Sequence, residues 1–226
     1  MPTAIVTGAS RGLGRALSQA LVGRGWDLVV DARGTDALAA TWADEPHVTS
    51  ISGDVTDPAH RRALVEGAGG PIDALVNNAS VLGPSPQPAL SDYPLEELRR
   101  VYEVNMVAPL ALVQLALPRL AQGARILNVT SDAGVEPYEG WGGYGSSKAA
   151  LDQVSAILGA EHPELRVYAV DPGDMRTQLQ QEAFPGEDIS DRPFPEEAGV
   201  PGLLALLESD LPSGRYRVAE LVGAPS

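Results

Sequence analysis

The sequence predicts a single α/β domain in which helices cover both faces of a doubly wound parallel sheet of about seven strands. Short, almost continuously apolar runs alternate with segments of helical periodicity along nearly the whole chain, and strands buried on both faces produce this pattern. A length of 226 residues suits one compact core. No fixed-period repeat or polar linker divides the chain, so we expect one domain over residues 1–226.

The candidate strands and helices follow one another in order. The strands are Thr3–Thr7, Asp27–Ala32, Val48–Gly53, Ala74–Asn77, Arg125–Thr130, Arg166–Val170 and Tyr216–Leu221. The helical segments are Leu13–Val22, Asp36–Trp42, Pro58–Gly67, Leu95–Leu120, Tyr144–Leu158 and Glu196–Leu207. Pro109 and Pro118 lie inside the longest of them. An interior proline removes a helical hydrogen bond, so we expect a bend or a register break there.

An irregular, acidic stretch follows the sixth strand, at residues 174–195, and contains Pro185, Pro193 and Pro195. An ordinary surface loop has this composition, and so does a mobile lid over a substrate pocket. Long loops in α/β folds often cover binding sites. We therefore expect this stretch to be a substrate lid.

The overall composition excludes several classes of protein. Hydrophobic residues make up 44% of the chain, too many for a disordered protein. The formal charge of −14 opposes binding to nucleic acid or to an anionic membrane, since both require a basic surface. Cysteine is absent and the three histidines lack the spacing of metal ligands, so we expect neither disulfides nor a metal site. With no apolar run of about 20 residues and no N-terminal leader, we expect a cytoplasmic location.

A glycine-rich loop joins the first predicted strand to the first predicted helix. It reads Thr7-Gly8-Ala9-Ser10-Arg11-Gly12-Leu13-Gly14. Glycines allow a sharp turn and a close approach to a pyrophosphate, and the N-terminus of the helix supplies free N–H donors. The loop lacks the Gly-Lys-Ser/Thr of nucleotide triphosphatases. Its position therefore predicts a dinucleotide site in a Rossmann-type sheet.

The end of the second strand bears on which dinucleotide binds. An acidic residue there favours the free 2′-hydroxyl of NAD, and Asp31 has that role if the strand ends early. If Ala32 occupies the position instead, Arg33 and Arg11 are placed to hold the 2′-phosphate of NADP with charge-assisted hydrogen bonds. We favour NADP(H) and keep NAD(H) as the alternative.

Tyr144 and Lys148 lie at positions i and i+4 of a helical segment and project from one face of it. A phenol has a pKa of about 10, and a neighbouring ammonium lowers it by stabilising the phenolate, which makes the pair suitable for proton transfer. Lys148 is the only lysine among sixteen basic residues. Ser131 ends the fifth strand, where it can donate to a carbonyl oxygen beside Tyr144 or simply form a turn.

Together, these residues resemble the short-chain dehydrogenase/reductase family, and the resemblance covers essentially the whole chain. Ser131, Tyr144 and Lys148 match its catalytic positions, and Asn105 matches the helix asparagine that holds a water near the lysine. Ser80 stands where the family usually has glycine. The resemblance implies further cofactor contacts at Asp54, Val55, Asn78, Ala79, Pro172, Gly173 and Thr177.

The resemblance implies an NADP(H)-dependent carbonyl reductase or alcohol dehydrogenase. In this chemistry Tyr144 protonates the carbonyl oxygen, and Ser131 donates a hydrogen bond to that oxygen. Lys148 holds the nicotinamide ribose and lowers the pKa of the tyrosine, while Asn105 anchors the proton relay. The alternatives are an NAD-linked dehydrogenase of the same fold and a dinucleotide-binding sensor without catalysis.

The substrate side of the site is expected to be apolar with an aromatic wall. The candidate lining residues are Leu82, Tyr138, Trp141, Met175 and Phe184. The resemblance also implies a homodimer through the segments Leu95–Leu120 and Tyr144–Leu158, with a tetramer as the alternative. The final residues Gly223-Ala224-Pro225-Ser226 lack the glycine-rich extension of the family, which favours the dimer.

Overall fold

The computed structural model describes residues 1–222, in which seven parallel strands form one sheet in the order β3-β2-β1-β4-β5-β6-β7. The strands are β1 (Thr3–Val6), β2 (Asp27–Ala32), β3 (Val48–Ser52), β4 (Ile72–Asn77), β5 (Leu120–Val129), β6 (Arg166–Asp171) and β7 (Gly214–Arg217). The strand order reverses between β1 and β4, which opens a crevice at the carboxyl ends of these strands. The predicted doubly wound sheet is confirmed.

Helices cover both faces of this sheet. They are α1 (Gly12–Val22), α2 (Thr35–Trp42), α3 (Pro58–Gly67), α4 (Leu95–Tyr102), α5 (Ala108–Ala116), α6 (Gly142–Glu161), α7 (Gln178–Ala183), α8 (Gly199–Glu208) and α9 (Val218–Val222). Successive side chains of a strand point to opposite faces. Ala4 and Val6 of β1 accordingly join the apolar cluster under α1 and α8, whereas Ile5 joins the cluster under α3 and α5.

The longest helical stretch, Leu95–Arg119, is interrupted in the region where its prolines predict a break. A π-turn at Glu103–Val107 separates α4 from α5, and Pro109 lies in the first turn of α5, where its missing N–H is tolerated. By length and composition alone this stretch would suffice to cross a bilayer. Its residues Leu112 and Val113 are instead buried in the core against the sheet.

The last strand is shorter than predicted. β7 ends at Arg217, and α9 replaces the remainder of the expected strand Tyr216–Leu221. Val218 is buried against α8 at Gly202, where a Cβ atom would lie 2.5 Å from the valine side chain. This close packing turns the chain over α8 instead of along the sheet edge. Residues 223–226, which we compared with the glycine-rich extension of the family, lie outside the described part of the chain.

The stretch 174–195 contains an ordered helix, α7, and is tied to the carboxyl end of the sheet. The Thr177 hydroxyl oxygen accepts a hydrogen bond from the Gln180 N–H at 3.2 Å and so caps α7. Ser85, on the segment that follows β4, donates to the Glu182 carbonyl at 2.6 Å. Arg11 of the glycine-rich loop donates to the Gln178 side chain. These contacts hold α7 beside the crevice.

Candidate active site

A cavity of about 1140 Å³ lies at the carboxyl ends of the strands. This volume exceeds the roughly 300–1,000 Å³ of pockets that take one drug-sized molecule. Its lining comes from the glycine-rich loop, the ends of β2, β4, β5 and β6, the start of α6, and the stretch 174–195. The cavity therefore has room for a dinucleotide together with a small substrate. Most candidate residues from the sequence line it, and those that do not are Gly14, Asp54, Asn105, Tyr138 and Phe184.

The glycine-rich loop has the geometry of an anion cradle. Gly8 and Gly12 adopt φ angles of +72° and +55°, which favour glycine. A Cβ at Gly14 would lie 2.5 Å from the Gly8 carbonyl oxygen, so this position has no space for a side chain. The first turn of α1 carries neither a side-chain cap nor an acidic residue, which leaves its N–H groups to a ligand. Both features fit the pyrophosphate of a dinucleotide.

Asp31, the residue that the NAD alternative places on the ribose, lines the cavity and is hydrogen-bonded to the glycine-rich loop. Its side chain is 1% exposed. One carboxylate oxygen accepts the Gly8 N–H at 2.7 Å, and the other lies 2.9 Å from the Nε2 atom of His60. Because β2 continues to Ala32, the early strand end that would place Asp31 on the ribose does not occur, and the exposed Arg33 follows at the cavity. His60, a partner that sequence reasoning did not identify as part of the site, lies 29 positions away.

The loop after β4 is joined to the glycine-rich loop by Thr7 and Asn78. The Thr7 hydroxyl oxygen accepts the N–H groups of Asn78 and Ala79, both at 3.0 Å. The Asn78 amide donates to the Thr7 carbonyl at 2.8 Å. Asn78 and Ala79 line the cavity, and their contacts with a cofactor stay a prediction.

Asp54 and Val55 lie after β3, at the far end of the cavity. Val55 lines it, but the Asp54 carboxylate accepts two hydrogen bonds from Thr56, at 2.8 and 2.9 Å, and is committed to this turn. Partial burial raises the pKa of Asp54, while the Thr56 hydrogen bonds and the nearby Arg33 lower it, and the balance leaves it below its usual value.

Tyr144 and Lys148 project together from α6 into the cavity wall. The Lys148 Nζ atom lies 5.4 Å from the centre of the Tyr144 ring and donates to the Val129 carbonyl at 2.8 Å. Only 2% of Lys148 is exposed. Burial lowers the pKa of Lys148 to about 8, and the Asp152 carboxylate opposes this shift.

The pKa of Tyr144 corrects the expectation that the lysine makes this phenol more acidic. Burial raises the pKa well above its ordinary value, and the carboxylates of Asp132 and Asp171 raise it further. Hydrogen bonds with the Ser80 and Ser131 side chains lower it. Desolvation of the phenolate therefore dominates in the protein alone, because the neighbouring ammonium is itself held against a backbone carbonyl.

Ser131 caps a short 3-10 turn at Asp132–Gly134. Its oxygen accepts the Ala133 N–H at 3.2 Å, and its hydroxyl donates to the Asp132 carboxylate at 2.9 Å. The other Asp132 oxygen accepts the Tyr138 hydroxyl at 2.9 Å. Sequence reasoning missed Asp132, although its position next to Ser131 was the available signal.

Asn105 lies within the π-turn and is 1% exposed. Its side-chain oxygen accepts the Val81 N–H at 2.9 Å and the Ser80 hydroxyl at 3.1 Å. Its amide donates to the Val81 carbonyl at 2.9 Å and to the Ser147 hydroxyl at 3.0 Å. The side chain is thus committed to holding the loop after β4 against α6, and its role in a water relay stays a prediction.

The segment after β6 places the remaining candidate cofactor residues at the cavity. Pro172, Gly173 and Thr177 all line it. The Asp171 carboxylate accepts the Gly173 N–H at 3.0 Å, and Gly173 adopts a φ angle of +75°. Among the described residues 1–222, no three His, Asp or Glu side chains come together as a metal site requires.

The candidate substrate residues divide into two groups. Leu82, Trp141 and Met175 line the cavity. Tyr138 and Phe184 do not, which corrects their assignment to its wall. Their rings pack on Trp141 with centroid distances of 6.2 and 5.9 Å and support it from behind. The Tyr138 hydroxyl donates to Asp132, which itself lines the cavity.

Comparisons with known proteins agree with this geometry. A family model described as short chain dehydrogenase matches residues 2–188. A benzil reductase ((S)-benzoin forming) of Saccharomyces cerevisiae is 32% identical over 193 residues, which cover 79% of this chain and 73% of the relative.

Solved structures agree over nearly the full length. The KRED1-Pglu enzyme superposes with a TM-score of 0.86 at 32% identity, covering 96% of this chain and 100% of the other. An alcohol dehydrogenase from the archaeon Thermococcus sibiricus, complexed with 5-hydroxy-NADP, superposes with a TM-score of 0.85 at 26% identity, covering 96% and 95%. The match of the family model to most of the chain, together with the similarity to these relatives and structures, shows that this protein belongs to the short-chain dehydrogenase family of oxidoreductases.

Proposed function

We propose that this protein is an NADP(H)-dependent oxidoreductase that reduces neutral ketones or aldehydes, or oxidises the matching alcohols, by a Ser-Tyr-Lys mechanism. The observation that carries the proposal is the meeting of Tyr144, Ser131 and Lys148 in the wall of one cavity that also contains the glycine-rich loop. A phenol, a hydroxyl and a buried amine beside a dinucleotide cradle suit proton transfer coupled to hydride transfer.

Each of these residues has a distinct role in the proposed reaction. Tyr144 gives its proton to the carbonyl oxygen while that oxygen gains negative charge, and it is left as the phenolate. Ser131 hydrogen-bonds the same oxygen. Lys148 leaves the Val129 carbonyl to hold the ribose next to the nicotinamide, and from there it stabilises the phenolate. The cofactor, when bound, would supply the hydride to the carbonyl carbon.

The charges at the far end of the cavity support NADP(H) over NAD(H). Arg33 and Arg11 are exposed and line the cavity, and Arg33 directly follows β2, where a 2′-phosphate would lie. Arg11 donates to the Gln178 side chain in the protein alone and would turn from it to the phosphate. Asp31, which would repel that phosphate, is buried and held by Gly8 and His60. A planar guanidinium binds phosphate oxygens through several N–H donors at once.

An apolar surface at the reactive end supports a neutral substrate. Leu82, Trp141, Met175 and Leu179 line it, and the Asp132 carboxylate beside Ser131 disfavours an anion. The benzil reductase of S. cerevisiae carries an aromatic diketone in its name. We therefore propose aromatic ketones, with benzil as the first probe.

The exposed apolar residues of the helices support a homodimer. The cytoplasmic location expected from the sequence is part of the same proposal. Val107 and Leu115, on the stretch around α5, and Ile157, on α6, are 37%, 36% and 46% exposed. Burying such side chains against a second copy is favourable. A monomer in light scattering at micromolar concentration would contradict this part of the proposal.

The test of the proposed reaction is the consumption of NADPH with benzil and a panel of other ketones and aldehydes, followed by absorbance. We expect the wild type to turn over and Tyr144→Phe to lose roughly a hundredfold or more in rate, because the general acid is removed. NADPH binding by Tyr144→Phe, measured by fluorescence, is expected to persist. Tight NADPH binding by a wild type that reduces nothing would indicate a sensor instead.

The cofactor preference has its own test. Arg33→Ala is expected to weaken NADPH binding by roughly 10- to 100-fold, the value of a hydrogen bond to a charged group, and to leave NADH binding unchanged. Arg62→Ala, an exposed arginine outside the cavity, serves as the matched control. Equal binding of NADPH and NADH by the wild type would show the preference to be wrong.

A further inference from the structure

Ser80, the first residue after Asn77-Asn78-Ala79, brings a third hydroxyl to the reactive end of the cavity. It lines the cavity together with Ser131 and Tyr144. Its hydroxyl donates to the buried side-chain oxygen of Asn105 at 3.1 Å. With its proton directed away from the cavity, the oxygen of Ser80 can accept a hydrogen bond from Tyr144. Ser80 and Tyr144 line the same cavity, and a hydrogen bond from the Ser80 side chain lowers the pKa of Tyr144.

We propose that Ser80 is a positioning residue that orients the Tyr144 hydroxyl before proton transfer and then donates a hydrogen bond to the phenolate. The inference rests on the proposed function. As the Tyr144 O–H bond breaks, a new O–H bond forms on the substrate oxygen. Ser80 keeps its own proton throughout and only changes its acceptor, from Asn105 to the phenolate oxygen.

The hydrogen bonds around Asn105 keep the free-energy cost of rotating the Ser80 hydroxyl small. The Asn105 oxygen accepts two donors, Ser80 and the Val81 N–H, the latter at 2.9 Å. When the Ser80 hydroxyl rotates toward Tyr144, the Val81 N–H still satisfies the buried oxygen. No unpaired polar group is left behind, so the penalty of about 1–3 kcal/mol for such a group does not arise.

Ser131 is less suited to this second role. Its hydroxyl donates to the Asp132 carboxylate at 2.9 Å, and a hydrogen bond to a charged acceptor is roughly twice as strong as one to a neutral amide. Turning the Ser131 proton away from Asp132 therefore costs more than turning the Ser80 proton away from Asn105. Ser131 has a single proton, and the proposed reaction already turns it to the substrate oxygen. Ser131 then has no proton left for the phenolate, so that role falls to Ser80.

The test compares Ser80→Ala with wild type in the pH dependence of benzil reduction and of alcohol oxidation. Loss of a donor to the phenolate raises the pKa of Tyr144. In the plot of rate against pH, we therefore expect the limb that reports Tyr144 to move up by about one pH unit. The reduction rate on the plateau is expected to fall about tenfold with KM for NADPH unchanged. Ser80→Thr keeps a hydroxyl and is expected to retain the wild-type limb.

Two controls separate this role from a structural one. Ser146→Ala removes a hydroxyl that donates to the Gly143 carbonyl of its own helix. The Tyr144 limb of the rate–pH profile of this variant is expected to stay in place. Should Ser80→Ala fail to fold, Ser80→Cys, with its weaker donor, is expected to give an intermediate shift. An unmoved limb in the Ala or Cys variant overturns the inference, even when the rate has fallen.

A measurement that needs no turnover, an NMR resonance of Tyr144, distinguishes failure of the proposed reaction from failure of the proposed role of Ser80. The Cζ resonance of Tyr144 in protein with ¹³C-labelled tyrosine is identified by its loss in Tyr144→Phe. We expect Ser80→Ala to displace it and Ser146→Ala to leave it unchanged. A wild type that reduces no carbonyl compound contradicts the proposed function alone, whereas an undisplaced resonance contradicts the role of Ser80.

Discussion

Lys148, the chain's only lysine, is an ionisable group buried at the expense of stability. Just 2% of it is exposed, and its Nζ atom bonds to the Val129 carbonyl. Burial lowers its pKa from 10.5 to about 8, which corresponds to roughly 3 kcal/mol of disfavoured charge. Since a lysine so placed does not stabilise the fold, its presence agrees with the proposed role in binding the ribose.

We predict that Lys148→Met is more stable than wild type at pH 7, by roughly 1–3 kcal/mol, and inactive. Below pH 8 the wild type carries the full cost of the buried charge. Between pH 8 and 10.5 the unfolded chain binds more protons than the folded protein, so wild-type stability rises with pH. The advantage of Lys148→Met is therefore expected to shrink over this range in urea denaturation. A variant less stable than wild type at pH 7 would contradict this account.

At the scale of secondary structure, the π-turn between α4 and α5 places Asn105. The turn spans Glu103–Val107 and directs the asparagine side chain inward. There it joins α5 to the loop after β4, through Val81, and to α6, through Ser147. One buried amide thus fixes the distance between the elements that carry Ser80 and Tyr144.

Asn105→Ala is expected to lower the free energy of unfolding by about 2–4 kcal/mol, because it removes the hydrogen bonds of this buried amide to the Val81 backbone and to the Ser147 hydroxyl. Gln114→Ala, on the exposed face of α5, is the control and is expected to cost less than about 0.5 kcal/mol. Urea denaturation measures both. Similar stabilities of the two variants would refute the bracing role of Asn105.

At the scale of the whole molecule, the cavity exists because the sheet order reverses between β1 and β4. The loops that follow six strands, β1 to β6, meet there, and each contributes one of the site residues discussed above. In chain order they are Gly8, Arg33, Val55, Ser80, Ser131 and Gly173. A ligand that contacts all six loops holds the two halves of the sheet together.

Bound NADPH is therefore expected to stabilise the entire fold. At a concentration of 100 times Kd it should add about 2.7 kcal/mol, which raises Tm by roughly 5–10 °C for a chain of this size. Thermal unfolding with and without NADPH measures the shift, and Arg33→Ala is expected to require more NADPH for the same Tm. An unchanged Tm at saturating NADPH would contradict the assignment of the cavity.

The amino-acid sequence alone determined the features that depend on near neighbours in the chain. Alternating apolar runs predicted the parallel sheet, and the glycine spacing after β1 predicted the cradle. The i, i+4 spacing brought Tyr144 and Lys148 together on α6. These features follow from the periods of strand and helix, which any local stretch reveals.

Only the tertiary structure decided which partners distant residues find. Asp31 meets His60 29 positions away, Ser80 meets Asn105 25 positions away, and the Tyr138 hydroxyl meets Asp132. The direction of the Tyr144 pKa shift likewise reversed, since it depends on burial by the whole fold. Hydrogen bonds and desolvation act through space, and spacing along the chain does not reveal which groups are enclosed together.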